Sequence, residues 1–261
     1  MRNARAALTL VRIDASIVIF LSIFVPTLTR TNNLQLSLGK AAPMLFVGFC
    51  TWIANDIDDL ERDRINHPDR PLPSGRISLE TASALFFLCL VLALAMTYYL
   101  IDSAIAFWYY LVLILSLSYG YIVELAPAWK APYVAAAMAI PTIIVANSYP
   151  NELHLWRVAV AVFCFALGKE LYMDLLDRPG DTPSFLHVVR FEVVARMAFG
   201  VLWIGLTFLV TYPRSARDVM YATVMVGLLL FATVIGERSK RHRLAVQIVR
   251  IEMLLGIYYL V

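Results

Sequence analysis

Ten of the nineteen carboxylates in this 261-residue chain fall in two short stretches. The first, residues 55–75 (NDIDDLERDRINHPDRPLPSG), holds six acids and three arginines; the second, residues 169–181 (KELYMDLLDRPGD), holds four acids. On a helix Asn55, Asp59 and Asp63 recur at i, i+4, i+8 and share one face. Glu170, Asp174 and Asp177 do the same at i, i+4, i+7. Like charges at this spacing repel, so something positive must lie against each stripe. Ligands that are all oxygen, with no His or Cys among them, suit a hard cation, Mg2+ before Ca2+ or Mn2+. Mg2+ is usually held by a few carboxylates together with substrate phosphates. Two carboxylate stripes with Arg and Lys close by therefore point to a Mg2+-bridged diphosphate. The bland alternative is a solvated loop whose charges only enforce topology. That reading is retained for Asp58 and Glu61, which lie off the stripe; Asp69 is left unassigned.

The elements that must position these groups are apolar. The chain is 61% hydrophobic, with a mean hydropathy of +0.72. Charged or Pro-rich punctuation separates nine apolar runs, at 9–28, 36–54, 79–100, 104–123, 131–148, 155–173, 191–211, 218–235 and 244–260. Each approaches the roughly 20 residues that span a bilayer as a helix. The fold class expected is all-α: a polytopic transmembrane bundle of about nine helices, forming a single domain over residues 1–261. Lys and Arg are concentrated in alternate connections, which places the N-terminus and both Asp-rich segments in the cytoplasm. The first run has a basic lead and no small-residue cleavage site, and reads as a first span. A net charge of +3, spread between the apolar runs, sets topology and is no nucleic-acid footprint. Cys50, Cys89 and Cys164 sit inside apolar runs without metal-ligand spacing and read as small buried hydrophobes.

The same residues carry a family resemblance. NDIDDLERD followed by RINHPDRPLPSG resembles the first signature of the UbiA superfamily of intramembrane prenyltransferases. DLLDRPGD is similar to the second, and SLSYGYIVELAPAWK to the Tyr and Lys region between them. The resemblance covers nearly the whole chain. It implies nine transmembrane helices around a central cavity, open sideways to lipid and capped by the two Asp-rich loops. By position it implies that Asn55, Asp56, Asp59, Asp63, Asp174, Asp177 and Asp181 hold Mg2+ on a prenyl diphosphate. Asp56 is the motif member that falls off the helical stripe. Lys130, Arg62, Arg70 and Tyr119 are implied as diphosphate contacts. Two stretches depart from the family pattern: Arg12-Ile13-Asp14, where many aromatic-acceptor members carry Arg-Pro, and DTPSFLHVVR after the second motif.

The implied chemistry is ionisation of an allylic diphosphate. Cations stabilise the charge that develops on the leaving group, and an apolar cavity shields the allylic cation from water. Aromatic faces stabilise such a cation; Phe107, Trp108, Tyr109, Tyr110, Tyr119 and Tyr121 are the densest group, although membrane anchoring and packing use the same residue types. The prenyl group then passes to an aromatic or other lipophilic acceptor. Because the acceptor signals depart from the pattern, a UbiA-type membrane terpene cyclase, which needs no acceptor, is the second reading. A transporter would place its acids near the bilayer midplane on broken helices, whereas these lie at one surface. Arg12 is read as snorkelling to the interface or as recognising an anionic acceptor group. Arg250 and Glu252, near the end of the chain, have no assigned role.

Overall fold

The computed structural model describes residues 2–176, 191–210, 216–238 and 242–256. Among them every element is helical. Two compact units emerge, one built from Met1–Ala126 and the other from the described residues beyond it.

In the first unit, α1 (Arg2–Leu10) is followed by a break at Val11 and Arg12, then by α2 (Ile13–Thr31) and α3 (Leu34–Asp58). Asn32 turns the chain between α2 and α3 in the left-handed conformation, φ 50°, which Asn tolerates better than most residues. The next residue, Asn33, caps α3 by accepting the Leu36 N–H at 2.9 Å. A short α4 (Leu60–Asn66) follows, then the Pro-rich turn, α5 (Leu79–Leu100), α6 (Ser103–Leu117) and α7 (Tyr119–Leu125). The central element is α3, which packs against α2, α5 and α6. Leu10 of α1, Cys50 and Ile53 of α3, and Cys89 of α5 form a buried cluster with Leu72 and Ile77. Leu72 and Ile77 thus root the Pro-rich turn in the core, while Gly75 at its tip takes φ +69°, where a side chain would be strained.

Several hydroxyls inside the spans bond to backbone carbonyls, as an apolar surrounding favours. Thr51 and Ser116 lie within bonding reach of the Val47 and Val112 carbonyls of their own helices and 2.6 Å from each other across α3 and α6, so one hydroxyl donates to its own backbone while the other donates across the helices. Tyr109 is buried, and its hydroxyl donates to the Lys40 carbonyl at 2.6 Å.

The second unit contains a 3-10 turn (Pro127–Trp129), α8 (Lys130–Ser148), α9 (Leu153–Leu176), α10 (Phe191–Val210), α11 (Ala216–Arg238) and α12 (His242–Leu255). Here α9 is central, packing on α8, α10 and α12. The α9–α10 crossing is made close by glycines. A Cβ on Gly168 would lie 2.7 Å from the Ala198 carbonyl oxygen, and one on Gly205 2.9 Å from Cys164 Cβ. Small residues at such positions let helix backbones approach within a membrane.

Among the described residues six helices are long and apolar enough to cross a membrane, and a seventh span arises if α6 and α7, bent by 51°, are taken together. The chain is thus a multi-pass integral membrane protein. Among the described residues there are twelve α-helices: each of the nine runs of the sequence meets one, the run at 104–123 being split into α6 and α7, while α1 lies mostly before the first run and α4 lies between the second and third. Two of the nine expected spans are not among these. Helix α9 carries Arg157, Lys169, Glu170 and Asp174 within its 24 residues, and α12 is described over only 14. The first run also begins later than expected. The break at Arg12 separates α1 from the span, which runs from Ile13 to Thr31.

Candidate active site

The stripe of Asn55, Asp59 and Asp63 survives a break in its helix. Helix α3 ends at Asp58, and Asp59, with φ −86° and ψ 3°, joins it to α4. The Asp59 N–H still bonds to the Asn55 carbonyl at 2.8 Å, and the Asp63 N–H to the Asp59 carbonyl at 2.7 Å. The four-residue ladder therefore runs through the join and keeps the three side chains in register.

The positive partners required by the stripe are supplied by the protein. Arg62 lies 2.5 Å from Asp59, and Arg70, from the Pro-rich turn, lies 2.5 Å from the buried Asp63. Burial pushes the Asp63 carboxyl up from the usual Asp range, while the Arg70 guanidinium pulls it down; burial is the larger effect. The Tyr119 hydroxyl points at Asp59 across a long 3.5 Å. Asn55 has a buried amide oxygen with no hydrogen-bond partner.

Asp56 lies beside the stripe and is 3% exposed. It is paired with Arg12 at 2.7 Å and has Arg70 at 3.8 Å. The Arg12 guanidinium also lies over the Trp52 ring, 4.7 Å from its centroid. Neither expectation for Arg12, snorkelling or acceptor recognition, anticipated this pairing. Its backbone takes φ 42°, ψ 59°, a left-handed conformation that costs a residue with a side chain roughly 1–2 kcal/mol. Removing Arg12 would leave the buried Asp56 carboxylate with only the more distant Arg70, which opposes relaxing this strain.

Asp58 is exposed, as expected, but it is not idle. Its carboxylate accepts a hydrogen bond from the Gly120 backbone N–H, and a Cβ on Gly120 would lie 2.6 Å from Asp58 Oδ2. Gly120 sits just past the bend between α6 and α7, beside Tyr119. Of the other aromatics of this region, Phe107 and Tyr121 are exposed and Tyr109 is committed to packing.

In the second unit, Lys130 at the start of α8 pairs with Asp174 near the end of α9 at 2.9 Å, and Lys169 pairs with its neighbour Glu170. Asp177 and Asp181 lie outside the described residues. Sequence reasoning missed the Arg12–Asp56 pair, whose members are 44 residues apart, and the Asp58–Gly120 contact. Neither leaves a local signal, because both are made between separate elements.

The donor set fits Mg2+. Among the described residues no three His, Cys, Asp or Glu side chains converge as metal ligands. Mg2+ does not require that, since it is usually held by one or two carboxylates with substrate phosphates. The unpartnered Asn55 oxygen and the Asp59 carboxylate one turn on are both hard oxygen donors of the kind this ion takes.

The chain matches the UbiA prenyltransferase family over residues 16–249. It belongs to that family. A UbiA-type prenyltransferase, the enzyme class expected from the Asp-rich motifs, is the class of its relatives. A digeranylgeranylglyceryl phosphate synthase of Metallosphaera sedula is 29% identical over 199 residues, 71% of this chain and 68% of that protein. Several other relatives match over less than two thirds of their own length. Two solved structures share the fold. The apo UbiA homolog of Aeropyrum pernix K1 superposes with a TM-score of 0.75 at 17% identity, covering 93% of this chain and 96% of that one. The UbiA homolog of Archaeoglobus fulgidus bound to GPP and Mg2+ gives 0.64 at 18% identity, covering 98% of each.

Proposed function

We propose that this UbiA family member transfers a prenyl group from a polyprenyl diphosphate to a lipophilic acceptor. The observation that carries the reading is the stripe of Asn55, Asp59 and Asp63, kept in register across the α3–α4 join, with the buried Asn55 oxygen unpartnered. Mg2+, when bound, would draw off the negative charge that grows on the departing diphosphate. Asn55, Asp59 and Asp63 would hold it, with Asp174, Asp177 and Asp181 from the second motif. Arg62, Arg70 and Lys130 now neutralise Asp59, Asp63 and Asp174. They are the cations available to diphosphate oxygens once the carboxylates turn to the metal. Tyr119 offers a hydroxyl beside Asp59. The apolar spans supply a water-poor surrounding in which an allylic cation survives long enough to be captured, consistent with a bundle of nine spans around a lipid-open cavity. The compound in the name of the Metallosphaera sedula relative is a glyceryl phosphate carrying two geranylgeranyl chains, which favours a lipid acceptor over a water-soluble one.

The test is direct. Purified protein is incubated with Mg2+ and geranyl, farnesyl or geranylgeranyl diphosphate, with and without lipophilic acceptors, and the products are identified by mass spectrometry. The expected result is a prenylated acceptor, with diphosphate released only when both acceptor and Mg2+ are present. A cyclic hydrocarbon or terpene alcohol formed without acceptor would replace the transferase with a membrane terpene cyclase. No turnover of any of the three diphosphates with any acceptor would overturn the reading.

A further inference from the structure

Asp56 belongs to the Asp-rich motif by sequence, but its surroundings differ from those of its neighbours. It is 3% exposed, and its carboxylate meets two guanidinium groups, that of Arg12 at 2.7 Å and that of Arg70 at 3.8 Å. Arg70 in turn reaches Asp63 at 2.5 Å. Two carboxylates and two guanidiniums thus form one cluster whose charges cancel. Asp56 lies off the stripe shared by Asn55, Asp59 and Asp63, and a divalent cation drawn to it would strip Arg12 of the carboxylate that ties down the α1–α2 break, an unfavourable exchange in a poorly solvated place. The cluster ties the α1–α2 break, 44 residues away in sequence, to the end of α3, α4 and the Pro-rich turn. Trp52 lies one turn before Asp56 on α3 and stacks under Arg12, so the guanidinium is fixed on two sides.

We propose that Asp56 is a positioning residue and not a metal ligand: it anchors Arg12 across the α1–α2 break and helps hold Arg70 on Asp63. Arg12 is thereby part of the same device, although it touches neither Asp59 nor Asp63 in the described contacts. The proposal extends the diphosphate reading above in its consequence for binding, but the ion-pair cluster itself exists without any ligand.

Two measurements on the full-length protein test it. The first is thermal unfolding without ligand of wild type, Arg12→Gln, Asp56→Asn and the double variant. The expected result is a drop in melting temperature for each single variant and a drop for the double that is well short of their sum, because partners in one network are non-additive. Additive drops would overturn the proposal. The second is the affinity for a non-hydrolysable prenyl diphosphate analogue with Mg2+. Arg12→Gln and Asp56→Asn are each expected to weaken it about tenfold, with the double variant within about threefold of either, again from shared coupling. Arg12→Lys, which keeps the charge, should recover most of that loss. A metal ligand would behave otherwise: Asp56→Asn would abolish Mg2+-dependent binding while Arg12→Gln bound as wild type does, and that pattern would overturn the proposal. If Asp56→Asn does not fold, Arg12→Gln against Arg12→Lys decides, since equal wild-type affinity in both would overturn it. Wild-type protein that binds no analogue would sink the diphosphate reading instead, leaving the unfolding data to judge the cluster.

Discussion

Asp58 and Asp59 are adjacent, and the chemistry proposed for them is opposite. Asp59 lies on the stripe with Asn55 and Asp63, within reach of Arg62 and Tyr119. Asp58 points to the Gly120 N–H. Asp59→Asn removes a full charge from the proposed metal site and should slow product formation by about a hundredfold or more, the scale seen when one electrostatic stabiliser is lost. Asp58→Asn keeps an oxygen that can accept from Gly120 and should leave the rate within about threefold of wild type, the loss of one neutral-strength hydrogen bond at most. Steady-state rates of the two variants side by side check this; equal damage would mean that the helical stripe is not what selects the ligands. Gly120→Ala is the complementary change. Its methyl group would lie 2.6 Å from Asp58 Oδ2 and 2.8 Å from Asp58 Cγ, so the carboxylate must swing away and give up its bond. A loss of about 1 kcal/mol in unfolding free energy is expected from that bond, together with lower activity as Tyr119 shifts beside it.

Helix crossings set where these residues stand. In the second unit, α9 and α10 approach through Gly168 and Gly205. Gly168→Ala would press a methyl group against the Ala198 carbonyl oxygen at 2.7 Å, and backbone cannot rotate aside as a side chain can. It should destabilise by about 1–3 kcal/mol, the usual cost of overpacking. Gly200 lies on the same α10 with nothing within 4 Å of its would-be Cβ. Gly200→Ala should therefore be neutral or stabilise by up to about 1 kcal/mol through helix propensity. Thermal unfolding in one detergent compares them. A drop for Gly200→Ala as large as for Gly168→Ala would mean that close approach is not what the glycines provide. At the same scale, the spans were legible from apolar runs, but their ends were not. Nothing local in 9–28 signals that Arg12 breaks the helix, because the break is held by Asp56 on another element.

For the whole molecule, two expectations from the sequence remain to be measured. The excess of Lys and Arg in alternate connections places Ser74 in the cytoplasm and Asn151 on the opposite side. Single cysteines at these exposed positions, in a background lacking Cys50, Cys89 and Cys164, should react with an impermeant reagent from opposite faces of sealed vesicles. Reaction from the same face would overturn the orientation. The second concerns the two acidic clusters. One Mg2+-diphosphate needs more oxygen ligands than either motif offers, so both are proposed to serve a single ligand. A prenyl diphosphate analogue with Mg2+ should raise the melting temperature of the wild type, since a ligand of the folded state stabilises it by mass action. Asp59→Asn and Asp174→Asn should each abolish that rise, and the pair together should cost little more than one. Losses that add would mean two separate sites.

What the sequence determined by itself is what depends on neighbours along the chain. Apolar length marked the helices as spans. Four-residue spacing put Asn55, Asp59 and Asp63 on one face, and the repulsion implied by that spacing required cations close by. The Asp-rich and Pro-rich motifs pointed to the family. Tertiary structure decided which cation from a separate element meets which carboxylate: Arg70 on Asp63, Lys130 on Asp174 and Arg12 on Asp56, whereas Arg62 on Asp59 is a local i, i+3 pair. It also decided that Asp58, exposed and off the stripe, has a fixed partner in Gly120. The reason is physical. Charge pairing and steric fit act through space over a few ångströms, and residues 44 or 60 positions apart become neighbours only when helices pack.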